Sequence, residues 1–230
     1  EYRKAMSLEK QPASLLVVGS GAIGVEFAYV YQSMGTQVTI VEYLPNLVPV
    51  EDEEVSKALE KSYKKMGMQI LTNSAVESVD TSGPLCKVQV KTPTGVQILE
   101  AEVVLSAAGI VPNIENMGLE ACGIALDKGK IKVDDFYKTT TPGYYAIGDV
   151  VKGPALAHVA SAEGIICVEK IAGHHPEPLD YGNIPGCTYC QPEIASVGMT
   201  EKAAKEAGYE LKIGKFPFSA SGKASASGHK

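Results

Sequence analysis

The chain has 230 residues, 45% of them apolar and 21% charged, and carries a formal net charge of −6. That length holds one large domain or two small ones with real cores, and the lack of any Lys/Arg stripe argues against nucleic acid or an anionic membrane as partner. No apolar run approaches the ~20 residues that span a bilayer and no signal-peptide core opens the chain, so a cytoplasmic location is expected.

Glu1 to Pro12 is polar and gives no clear start of a domain. Ser14–Val18 is a short apolar run suited to a buried parallel strand. The turn Gly19-Ser20-Gly21-Ala22-Ile23-Gly24 follows, and then Ile23, Phe27, Val30 and Tyr31 recur at helical spacing, with Gly35 as the stop signal. Gln37–Val41 reads as a second strand. Glu51–Met66 reads as a helix, acidic in its first turn, lysine-rich in its last and stopped by Gly67.

Three β-rich runs come next, Met68–Leu71, Ala75–Val79 and Cys86–Lys91, then a turn at Thr92-Pro93-Thr94-Gly95 and strands ending at Val103–Ala107. This order predicts an α/β fold, a Rossmann-type domain interrupted by an antiparallel β-meander. The pattern changes at Gly118. Beyond it, Ile131–Val133 and Tyr144–Ile147 read as strands and Leu156–Ala172 as a long helix ended by Gly173. His175 to Pro185 reads as a linker, Glu193–Val197 as a strand, Thr200–Gly208 as a capped helix and Leu211–Phe216 as a strand. No closing element is evident in the Ser/Gly/Ala-rich end.

The glycine turn specifies a dinucleotide site. Gly19 permits the tight turn, Gly21 lets the backbone approach a pyrophosphate, and Gly24 lets helix and strand pack closely. The helix opening there offers unsatisfied N–H groups and a positive dipole end. A lone G-x-G-x-x-G is weak, but here it follows a strand, opens a helix and has Glu42 ending the next strand. Glu42 would accept bonds from the adenosine ribose and repel a 2′-phosphate. No Arg or Lys lies between Gln37 and Ser56, so NAD is expected rather than NADP.

A second signature is Thr139-Thr140-Thr141-Pro142-Gly143-Tyr144-Tyr145-Ala146-Ile147-Gly148-Asp149, an apolar strand delivering a glycine and a carboxylate at its end. With Gly24-Val25-Glu26-Phe27-Ala28, Val41-Glu42, Leu44-Pro45, Ala108-Gly109, Pro112-Asn113, Leu156-Ala157-His158 and Pro192-Glu193-Ile194-Ala195-Ser196-Val197-Gly198, the chain resembles the pyridine nucleotide–disulfide oxidoreductases over essentially its whole length. The resemblance implies an NAD-binding domain at 1–118, the C-terminal part of an FAD-binding domain at 119–182 and the start of an α+β dimerisation domain at 183–230.

It further implies that Glu26 lies near the nicotinamide, with Ile23 among the NAD-binding residues of the same turn. Val76 would border the adenine, and Gly109 would let the dinucleotide pass close to the backbone. Gly148 would permit close approach, Asp149 would hold the flavin's ribityl chain, and Leu156, Ala157 and His158 would face its pyrimidine edge. The family often has Arg after the glycine matching Gly109, where this chain has Ile110.

The activity implied is oxidation of dihydrolipoamide through a redox cysteine pair and FAD to NAD, in a homodimer serving lipoyl domains of 2-oxo acid dehydrogenase complexes or the glycine cleavage system. The alternatives are an NADH oxidase or another disulfide reductase, or a non-catalytic nucleotide-binding module. None of the family's reacting residues is found here. No two of the five cysteines have four residues between them, only one G-x-G-x-x-G occurs, and the expected His–Glu pair is absent. The sequence thus reads as the middle of such an enzyme, retaining NAD binding, inactive alone and not expected to keep FAD.

The odd cysteine count suits reduced thiols. Cys86, Cys122 and Cys167 read as core residues. Cys187-Thr188-Tyr189-Cys190, even with His174-His175 nearby, is not expected to bind metal or cycle redox, because extended backbone sends i and i+3 side chains to opposite faces. His158 reads as a packing residue rather than a general base, and Gly164 within the long helix implies close packing against a neighbour.

Overall fold

A one-turn helix, α1 (Tyr2–Ala5), precedes β1 (Ser14–Val18), the central strand of a parallel sheet. Residues 1–228 are described in this computed structural model. Leu15, Leu16 and Val17 are all buried, as a strand covered on both faces requires. The glycine turn leads into α2 (Ala22–Ser33), β2 (Gln37–Val41), α3 (Glu53–Lys65) and β3 (Gln69–Leu71). A meander, β4 (Ala75–Asp80), β5 (Cys86–Thr92) and β6 (Gly95–Ala101), intervenes before the chain returns to the sheet as β7 (Val103–Ser106).

The sheet order is β3-β2-β1-β7, all parallel, while β4-β5-β6 form a separate antiparallel sheet joined by a two-residue hairpin at Pro93-Thr94. Val18 lies opposite Val41 of β2 on one side and Ser106 of β7 on the other. The chain therefore turns in opposite directions from β1, and a crevice opens at that strand's carboxyl end.

The buried face of α2 is Gly24, Val25, Ala28 and Tyr31, whereas Val30 is exposed. This differs from the face read off the larger side chains, because close approach to the sheet selects small residues. Helix α3 buries Leu59 and Tyr63, and the Tyr63 hydroxyl donates to the Val25 carbonyl at 2.7 Å, which pins the two helices together.

Two compact units emerge. One joins Glu1–Gly109 to the residues from Pro185 onward, and the other is Ile110–Ile184. In the first, β10 (Gly186–Thr188) and β11 (Ile194–Ser196) form an antiparallel pair, followed by α5 (Glu201–Glu206) and α6 (Gly222–Ser227). This segment is tied to α2 and α3 by Tyr189 N–H to Glu26, Ser62 hydroxyl to Gln191 carbonyl, Glu201 N–H to Asp52 and the Lys215–Glu54 ion pair. Leu211–Phe216 forms no strand, since none of the described strands pairs with it. The Ser/Gly/Ala-rich end, in contrast, closes as α6, capped by the Ser221 hydroxyl accepting from the Ala224 N–H. Thr200 caps α5 in the same way.

The second unit holds a short hairpin, β8 (Leu126–Asp127) with β9 (Lys130–Ile131), and α4 (Ala157–Ile171). Its core is built on Ile124, Ile131 and Val151. Tyr144–Ile147 makes only a single bridge, Lys138 to Tyr145, and is not a strand; Ala146 donates instead to the Tyr137 carbonyl in an irregular loop. Cys167 is buried, Cys122 is half-buried and packs against the Ile124, Ile131 and Val151 core, and Cys86 is half-buried. No helix among the described residues is long and apolar enough to cross a membrane.

Candidate functional site

The turn between β1 and α2 is held from both ends. Gly19 has φ +95° and donates its N–H to the Val41 carbonyl at 2.9 Å. A Cβ on Gly19 would stand 2.7 Å from the Ala107 carbonyl oxygen, and one on Gly24 would stand 2.1 Å from the Gly19 carbonyl oxygen. Gly21 differs: nothing lies within 4 Å of its Cβ position, so the space beside it is open. Gly21 is also the N-cap of α2 and offers no capping side chain, leaving the first N–H groups of a 12-residue helix, including that of Ile23, to a ligand.

Glu42 is only 6% exposed. Its Oε2 accepts from the Ser20 N–H and the Ser20 hydroxyl, both at 2.7 Å, and its Oε1 accepts from the Leu44 N–H at 2.7 Å. A carboxylate has about four acceptor positions, so roughly one remains, on Oε1. Glu42 therefore braces the glycine turn from the next strand as well as ending that strand. Ser20, fully buried, is one residue that sequence reasoning missed; its place inside the motif gives its hydroxyl no visible signal.

Val76 sits on β4, half-buried against a cluster containing Leu16 and Val41. Gly109 follows β7 with φ +129° and open space at its Cβ position. The Glu26 carboxylate accepts the Tyr189 N–H at 2.7 Å, so this residue on α2 is engaged by β10's following turn. Gly19, Ser20, Glu42 and Ala107 thus form one contiguous frame.

In the second unit, Gly148 has φ +74° and starts a tight 3-10 turn with Asp149 exposed. The N–H of Gly148 donates to Glu163 Oε2 at 2.5 Å, and the Tyr181 hydroxyl donates to Glu163 Oε1 at 2.5 Å. Leu156 is the N-cap of α4 without a side-chain bond, and Ala157 and His158 in the first turn are exposed. A Cβ on Gly164 would stand 3.3 Å from Ile147 Cδ1, so its close neighbour is the loop leading to Gly148.

Glu163 was not singled out in the sequence, though a signal existed. Val159, Glu163 and Cys167 repeat every fourth residue and are the buried stripe of α4, where a lone carboxylate is out of place unless it is bonded. The 175–185 connection, read as a linker, supplies Tyr181 and so has a structural task.

Cys187 is exposed and Cys190 is buried, its thiol pushed up mainly by that burial, with its Sγ 3.2 Å from the Pro192 carbonyl. Among the described residues no group of three or more His, Cys, Asp or Glu is placed to hold a metal ion. Brief iodoacetamide treatment of the folded protein is expected to alkylate Cys187 at least ~10-fold faster than Cys190. Peptide mapping by mass spectrometry checks this, and equal rates would contradict the placement of the two thiols.

A profile described as pyridine nucleotide-disulphide oxidoreductase matches residues 1–164, and that family's dimerisation domain matches residues 184–230. The chain is 48% identical to a dihydrolipoyl dehydrogenase of Rhizobium etli over 229 residues, covering 99% of this chain and 48% of the relative. A dihydrolipoyl dehydrogenase of Zymomonas mobilis is 46% identical, with 99% and 49% covered. The chain thus spans about half the length of the curated relatives it matches.

Among solved structures, LpdA from Mycobacterium tuberculosis superposes with a TM-score of 0.86 at 31% identity, over 96% of this chain and 48% of that one. The HOCl-induced flavoprotein disulfide reductase RclA from Escherichia coli gives 0.86 at 28%, over 96% and 51%.

Proposed function

The chain belongs to the pyridine nucleotide-disulphide oxidoreductase family, and from that premise we propose that it forms the nucleotide-binding half of a cytoplasmic dihydrolipoyl dehydrogenase. Such an enzyme oxidises dihydrolipoamide carried on lipoyl domains, in 2-oxo acid dehydrogenase complexes or the glycine cleavage system, and delivers the electrons to NAD. The carrying observation is the glycine turn: an uncapped helix N-terminus beside open space at Gly21, within a frame fixed by Glu42.

The residues fit NAD. The N–H groups that open α2 would take the pyrophosphate, and the remaining acceptor position of Glu42 would take an adenosine ribose hydroxyl. Gly109 offers an open backbone, Val76 an apolar border for the adenine, and Glu26 a carboxylate toward the nicotinamide end. The second unit fits part of a flavin: Asp149 would bond the ribityl chain of FAD, Gly148 would allow its approach, and the uncapped start of α4 at Leu156-Ala157-His158 would face an anionic edge. When bound, NAD supplies the hydride acceptor and FAD the redox centre. We assign 1–118 to NAD binding, 119–182 to the flavin segment and 183–230 to the homodimer interface.

Dihydrolipoamide is preferred over the substrate of another disulfide reductase because curated relatives at 44–48% identity are named dihydrolipoyl dehydrogenase. The test is titration calorimetry with NADH and NADPH, where NADH is expected to bind at least ~10-fold more tightly. Equal affinity, or tighter NADPH binding, would overturn the cofactor assignment. A dihydrolipoamide–NAD assay is expected to read zero on these 230 residues alone and to show turnover in the longer polypeptide that adds a redox cysteine pair.

A further inference from the structure

We propose that Glu163 and Tyr181 are positioning residues that fix the Gly148-Asp149 turn, and with it the Asp149 carboxylate, for flavin binding; this rests on the flavin reading above. The geometry is a clasp. Glu163 is 1% exposed, yet both of its oxygens are occupied, Oε2 by the Gly148 N–H and Oε1 by the Tyr181 hydroxyl, each at 2.5 Å. Tyr181 comes from the connection after α4, and its ring lies over the loop that follows the turn. A Cβ on Gly153 would stand 2.7 Å from Tyr181 Cε1. The 3-10 turn carrying Tyr181 is itself braced by Asp180, whose side chain accepts the Gly182 N–H at 2.9 Å.

Each component has a physical reason to act on the turn. Gly148 occupies a left-handed conformation, φ +74°, which the flanking chain alone does not enforce. A charge-assisted bond to its N–H holds that conformation, and Asp149 is the next residue. Tyr181 orients the carboxylate from the other side, and burial together with Glu163 pushes its hydroxyl above the ordinary phenol range, so it stays a donor. The Tyr137 hydroxyl meets the outer end of this chain, 3.3 Å from that of Tyr181.

The full-length polypeptide, stripped of flavin and titrated with FAD by fluorescence quenching, tests the clasp. Tyr181→Phe removes one bond and is expected to weaken FAD binding by about 5- to 10-fold. In the flavin-free protein the same change is expected to speed hydrogen exchange at the Gly148 amide. Glu163→Gln is expected to weaken FAD binding less than Tyr181→Phe does, because the carboxamide oxygen still accepts from Gly148, without the charge, while its NH₂ donates to the Tyr181 hydroxyl. Tyr137→Phe, which deletes the outer bond of the chain and leaves the Tyr181–Glu163 bond in place, is expected to stay within about 2-fold.

Unchanged FAD affinity in Tyr181→Phe, with wild type binding FAD, overturns the proposal whatever the amide does. Equal weakening by Tyr137→Phe overturns it too, since the effect would then not depend on the Tyr181–Glu163 bond. A wild type that takes up no FAD removes the flavin reading itself, and this inference falls with it.

Discussion

Gly24→Ala is expected to abolish measurable NADH binding, with an affinity loss beyond ~100-fold, and to destabilise the first unit by about 3 kcal/mol or more. The added methyl would stand 2.1 Å from the Gly19 carbonyl oxygen, a backbone atom that cannot rotate away. The turn has nowhere to retreat. Gly19 is bonded to Val41, and its own α-carbon faces the Ala107 backbone across a gap too small for a methyl. Either α2 lifts off the sheet, stripping Val25 and Ala28 of their contacts, or the turn opens and its N–H groups lose their common aim.

Gly21→Ala is the informative control. Nothing lies within 4 Å of that position, so stability should hold while NADH binding falls, the methyl standing where a bound pyrophosphate would come closest. Thermal melting and titration calorimetry on both variants give the comparison. A Gly24→Ala protein that melts and binds like wild type would refute this account of the turn.

Glu42→Ala carries the second large effect. Binding of NADH should weaken by ~10-fold or more for the lost ribose bond alone. The geometry adds a further loss, because the same carboxylate accepts three protein donors, the Ser20 N–H, the Ser20 hydroxyl and the Leu44 N–H. Leaving buried donors unsatisfied costs about 1–3 kcal/mol each, so a total near 3 kcal/mol of stability is expected.

Glu42→Gln separates the two roles. Its oxygen can keep part of the Ser20 contact, while its NH₂ must meet the Leu44 N–H donor to donor, so stability should fall less than in the alanine variant. Calorimetric affinity and chemical denaturation on the pair would decide. If Glu42→Ala keeps wild-type NADH affinity, the ribose role is wrong, whatever happens to stability.

Much of the sheet was legible because its signals are local. Ser14–Val18 announces a doubly covered strand by its unbroken apolar run, and Thr92-Pro93-Thr94-Gly95 announces a hairpin by turn chemistry. Gly19 and Gly24 speak through the absence of a side chain. What was not legible depended on partners distant in sequence. Leu211–Phe216 has strand composition, but composition does not provide a neighbouring edge. Tyr144–Ile147 likewise has strand residues, yet its backbone bonds go to Tyr137, Thr139 and Thr141 within one irregular loop. Glu42 looked like a free ligand for ribose because its pairing with Ser20 spans 22 positions. Tyr181 sat in a stretch whose prolines suggested a mere connector, 18 positions from the carboxylate it holds.

The discontinuous make-up of the first unit has a consequence for how the protein is made. Its parallel sheet is complete once β7 has been synthesised, so the dinucleotide frame can assemble while the ribosome is still adding the second unit. The bonds that fasten α2 and α3 to the later segment cannot form then. Glu26 waits 163 positions for Tyr189, and Asp52 waits 149 for Glu201. During that interval the faces of both helices that the later segment will cover are exposed on the nascent chain, and a pause after residue 184 would leave a first unit whose sheet is formed but whose helices are unfastened, open to chaperones and proteases.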